Sequence, residues 1–148
     1  MRTVYKAFAL LTALGVAAQA AAIALAVFTI VDMVEGGGVL DSSYDPMDNL
    51  GSALHWYGAI VVASLGLILL VASFFNRFRG AKMWAAITFA LVVLQWVLAF
   101  TAFEVVSVGY LHGLNALAIF TCALLAFRAA HRADQRATTV PARAPAAL

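Results

Sequence analysis

The chain has 148 residues, of which 65% are apolar and 11% charged, with a mean hydropathy of +0.98 and a formal charge of +2. Soluble domains carry about 45–50% apolar and roughly 25% charged residues, so soluble globular, disordered, collagen-like and nucleic-acid-binding classes are set aside. The length fits one domain, and the single cysteine, Cys122, permits neither an internal disulfide nor a zinc ribbon.

Four apolar runs follow in chain order: residues 7–31, 53–75, 83–103 and 105–127, none containing Asp, Glu, Lys or Arg. About 20 helical residues cross the hydrocarbon core, so each run is long enough to span once. The runs are continuous rather than alternating, which favours helices over barrel strands. An all-α, up-down-up-down bundle of four transmembrane helices is therefore expected over residues 1–137, with a disordered tail at 138–148 and fraying near 132–137.

The first run has a second reading as a signal peptide, with a basic start at Arg2 and Lys6 and an Ala18-Gln19-Ala20 cleavage pattern. Against it, apolar residues continue unbroken through Ile30 and Val31, and cleavage would leave a stub too short to span. An uncleaved helix is expected.

All nine Lys and Arg lie in the N-terminus, the connection at 76–82 or the tail. Six of the seven acids (Asp32, Glu35, Asp41, Asp45, Asp48 and Glu104) lie at the other two connections, and only Asp134 joins the basic end. With four crossings both termini share one face, and the Lys/Arg bias assigns that face to the cytoplasm of a cell (inner) membrane.

In the first outer connection, Gly36–Gly38 breaks the first helix, Asp45-Pro46 suggests a turn, and Asp48, Asn49 and Ser52 are candidate caps for the second helix. Asp41, Asp45 and Asp48 offer oxygen ligands for calcium, but their spacing fits no EF-hand and an ordinary solvated loop explains them. The basic 76–82 hairpin can touch anionic lipid. No internal repeat is evident.

Polar residues within the apolar runs carry the functional expectations, because they are costly in lipid. His55 and His112 stand near the outer starts of the second and fourth helices, at matched depth and on diagonal partners of the bundle. Two imidazoles reaching inward across such a diagonal suit a metal centre, above all a haem with one histidine on each face. Gly51, Gly58 and Gly66 on one helix, and Gly109, Ala116 and Ala123 on the other, leave room beside them. Asn115 is placed to bond a propionate or fix a histidine tautomer. Copper, with Met33 and Met47 as added ligands, a pH-sensing pair and a quinone pocket use the same imidazoles, whereas simple interfacial packing needs no ligand at all. Gln19 and Gln95 are expected to form an interhelical hydrogen bond near mid-membrane. Glu104 reads as a solvated boundary residue or a partner of His112, Cys122 as a packing residue, and His131 as part of the polar tail. There is no nucleophile–base set and no phosphate loop, so enzymatic activity is left open.

On His55 and His112 the chain resembles four-helix membrane b-type cytochromes, including the cytochrome b561-like group. The resemblance covers residues 7–127 and implies a haem b held by these two histidines near the outer face, in electron transfer with a quinone or a membrane redox partner. It departs from that group, which carries a haem toward each face, because the inner halves of the helices contain no histidine. By composition alone the chain is also similar to small four-helix membrane proteins of actinobacterial type. The alternative function is a non-enzymatic membrane subunit or assembly partner without cofactor, in a homo- or hetero-oligomer.

Overall fold

The computed structural model describes residues 1–139 and places them in four long helices: α1 (Arg2–Glu35), α2 (Leu50–Phe74), α3 (Ala81–Glu104) and α4 (Gly109–Thr139). Single 3₁₀ turns, Pro46–Asp48 and Val106–Val108, lead into α2 and α4, and no strand occurs among the described residues. All four helices are long and apolar enough to cross a membrane. The helices overrun the apolar runs: α1 has 34 residues, about 50 Å at 1.5 Å each, against a hydrocarbon core of about 30 Å.

Each helix packs on its sequence neighbours, and α1 closes the ring against α4, leaving α1/α3 and α2/α4 as the diagonals. Large apolar side chains such as Phe28, Phe74, Phe103 and Leu117 point outward, while the interior is built mainly from small residues, among them Ala9, Ala85, Ala126 and Ala130. This inversion of a soluble core follows from lipid as the surrounding solvent, where close backbone approach replaces hydrophobic burial as the source of helix packing.

Local chemistry sets the ends. Gly37, at φ +90°, stops α1. Asp45 caps the 3₁₀ turn through the Met47 amide at 2.8 Å. Asn49 caps α2 by accepting from Ser52 N at 3.1 Å, while its amide nitrogen donates to Ala26 O of α1 at 3.2 Å. Of the three expected caps, Asn49 is thus the one that docks α2 on α1. Gly80, at φ +87°, turns the chain into α3.

At the basic end Tyr5 is buried, donates to Ala81 O at 2.9 Å and meets Phe78 edge-on at 5.1 Å. Asp134 accepts from Arg2 at 2.9 Å and pairs with Lys6, which joins the two ends of the chain. That anchoring accounts for α4 continuing as regular helix through the stretch where fraying is expected. Thr138 and Thr139 extend α4, and the rest of the expected disordered tail lies outside the described residues.

Buried positions recur at constant offsets between the two helical hairpins. Tyr5, Ala9, Thr12 and Val16 are buried on α1, and Ala81, Ala85, Thr88 and Val92, each 76 positions later, are buried on α3. Thr12 and Thr88 both donate at 2.8 Å to the carbonyl four residues back. On α2 and α4 the separation is 57: Val62, Gly66 and Leu69 are buried, as are Ile119, Ala123 and Ala126. α1 and α3 run in the same direction, as in a parallel membrane repeat. The offset changes because the first hairpin's connection is longer, so no single period aligns both helices.

Candidate functional site

The two repeats bring a matching pair of polar residues to the acidic end of the bundle. Gln19 on α1 corresponds to Gln95 on α3, and His55 on α2 to His112 on α4. His55 Nδ1 lies 3.1 Å from the backbone O of Gln19, and His112 Nδ1 lies 3.2 Å from the backbone O of Gln95. A carbonyl only accepts, so each imidazole donates from Nδ1 and leaves Nε2 as its second nitrogen. The rings approach across the diagonal with centroids 6.3 Å apart and planes inclined by 59°.

The Nε2 atoms differ in their surroundings. Gln95 Nε2 donates to His112 Nε2 at 3.0 Å and to His112 O at 3.1 Å. Asn115 Nδ2 donates to Gln95 Oε1 at 2.6 Å and to Leu91 O at 2.9 Å, which fixes the orientation of that amide. Asn115 therefore acts on His112 through Gln95. On the other side, among the described residues, Gln19 Nε2 makes only a 3.5 Å contact with Leu54 O, and Gln19 Oε1 is buried without a partner. The expected bond between the two glutamines does not form, because each reaches the histidine-bearing helix beside it.

Both histidines line a cavity of about 630 Å³, bounded otherwise almost entirely by apolar side chains. That volume is in the range of small-molecule and cofactor sites, roughly 300–1,000 Å³. Trp56 and Trp96 meet edge-to-face at 6.2 Å and fill the seam between α2 and α3. Their repeat equivalents on α4 and α1 are Gly113 and Ala20, which line the cavity instead. A Cβ added at Gly113 would meet nothing within 4 Å, so the space extends over this residue.

The other candidates do not join the site. Among the described residues no three His, Cys, Asp or Glu side chains converge on a metal position. Asp41 instead accepts from Ser43 N at 2.8 Å and Ser43 Oγ at 2.6 Å, bonds that hold its carboxyl below the usual range. Asp45 is spent on its cap. Neither Met33 nor Met47 lines the cavity, so the copper alternative lacks its sulfur ligands there. Glu104 is exposed at the end of α3. His131 stacks on Phe127 near the other end, with ring centroids 6.1 Å apart. Gln95 is the residue whose importance sequence reasoning understated. Its signal was an amide within an apolar run, but its pairing with His112 depends on helix rotation.

A comparison of the chain with family models, curated proteins and solved structures finds no match.

Proposed function

We propose that this protein is a small b-type cytochrome of the cell membrane, binding one haem near the outer face through His55 and His112. The observation that carries the reading is the close approach of the two histidine rings across the diagonal. Two metal–nitrogen bonds of about 2 Å, plus about 1 Å from each nitrogen to its ring centre, would place the centroids roughly 6 Å apart, close to the 6.3 Å found, with His112 Nε2 released from its bond to Gln95. The Nδ1-to-carbonyl bonds support it further, since ligating histidines characteristically donate their second nitrogen in this way. The apolar cavity and the open space over Gly113 suit a flat ring. Cationic groups for propionates are absent from the acidic end, leaving the Trp56 indole, the Tyr57 and Tyr110 hydroxyls and water as neutral donors.

When bound, haem supplies reversible one-electron chemistry. The chain's own part is to hold both imidazoles in one tautomer, to exclude water with Trp96, Phe100 and Phe120, and to keep the site within reach of the outer surface. With no histidine in the inner halves of the helices, the redox work is local to that face. The redox partner is a quinone or another membrane component. A bundle without cofactor, serving as a subunit or assembly partner, is the competing reading, and the satisfied Gln95–His112–Asn115 network is the observation that favours it.

The test is haem stoichiometry. Protein purified after expression with ample haem should carry one haem per chain, and the His55→Ala/His112→Ala double variant none. Equal haem in both proteins, or none in the wild type, would overturn the assignment. For the topology, cysteines introduced at Ser43 and Ala142 should react with impermeant reagents from the outside and the inside, respectively. Labelling of both from one side would contradict three crossings between the two positions.

A further inference from the structure

We infer that the two histidines are unequal ligands, with His55 the anchor and His112 the exchangeable one, so that the haem accepts a small neutral diatomic ligand on its His112 side. This rests on the haem reading above and goes beyond it, because that reading treats the pair as equivalent.

The asymmetry arises at one pair of repeat positions. Gly58 stands three residues after His55, and Asn115 three residues after His112. Gln19 lies over Gly58, where an added Cβ would come within 2.0 Å of its Nε2. Without an asparagine to hold it, the Gln19 amide makes no hydrogen bond to His55 beyond its backbone carbonyl, and among the described residues His55 Nε2 has no hydrogen-bond partner. In the second hairpin Asn115 is itself pinned to Leu91 O and clamps Gln95 Oε1, which aims the Gln95 N–H at the His112 Nε2 lone pair. That lone pair is the one an iron would use. His112 can therefore bind only by displacing Gln95, whereas His55 binds without giving up a contact. Gly113, next to His112, adds open space to the same cavity.

One hydrogen bond of ordinary strength corresponds to about a fivefold factor in an equilibrium. The probe is carbon monoxide added to the reduced, haem-loaded protein and followed by its absorption shift. Wild type should bind it. Gln95→Leu removes the clamp and should weaken carbon monoxide binding about fivefold, through a stronger His112 bond. Asn115→Leu, which leaves Gln95 unaimed, should act in the same direction and serves if Gln95→Leu fails to fold. His112→Ala should keep its haem, turn high-spin and bind carbon monoxide more tightly, while His55→Ala should lose its haem. A haem-loaded wild type blind to carbon monoxide would overturn this inference alone. The same holds for clamp variants with unchanged affinity, or for His55→Ala keeping haem that His112→Ala loses. A wild type without haem would overturn the haem reading and this inference together.

Discussion

Gly51→Val is expected to be the most disruptive single substitution in the bundle, lowering the thermal unfolding midpoint in detergent by several degrees or preventing accumulation altogether. A Cβ at Gly51 would fall 2.2 Å from Ala26 N and 2.6 Å from Ala22 O, both backbone atoms of α1 that cannot turn aside. The start of α2 would have to move off α1, breaking the Asn49–Ala26 bond. Overpacking in a close-packed interior costs about 1–3 kcal/mol even where side chains can yield, and here backbone opposes backbone. His55 lies one turn further along α2, so the loss should extend to its bond with Gln19 O. A Gly51→Val protein as stable as wild type would show that α1 and α2 do not approach as closely as described. The wider cavity-side gap at Gly113, where a Cβ meets nothing, predicts the contrast: Gly113→Ala should leave the midpoint unchanged.

The second large effect concerns His55. In metal sites, removing a residue that merely supports a ligand typically costs 10–100-fold in affinity. Removing an anchoring ligand should cost at least the upper end of that range. His55→Ala should therefore reduce the haem recovered with the protein to near background, with the helical content and unfolding midpoint of the haem-free bundle preserved. The fold tolerates the change because His55 is only half-buried and its single bond is to a helix carbonyl that α1 already satisfies internally. Haem content unaffected by this substitution would remove His55 from the site.

Much of the architecture was legible in the sequence because lipid imposes so few solutions. Runs of about 20 apolar residues have to be helices, and short connections have to make neighbours antiparallel. The depth match of His55 and His112 follows from counting residues along parallel helices, and the structure brings the rings together across the diagonal. What remained hidden depends on rotation about each helix axis. Sequence spacing alone could not show that Gln95 faces His112 rather than Gln19. The apolar runs are hydrophobic all round, and so carry no amphipathic stripe to fix the rotation. The repeat was hidden for a different reason. Its buried positions keep their spacing within a helix, as Thr12 and Val16 match Thr88 and Val92, but the long acidic connection shifts α2 relative to α4. The carboxylates of the first connection read as an ordinary loop, and Asp41 and Asp45 are engaged there in local turn and cap bonds.

The reduced-minus-oxidised absorption spectrum of the purified wild-type protein tests the haem assignment most directly. Expressed with ample haem, the protein should give the sharp low-spin bands of a b-type haem with two nitrogen ligands, at one haem per chain. A featureless difference spectrum from folded, four-helix protein would contradict the assignment and leave the histidines as packing residues.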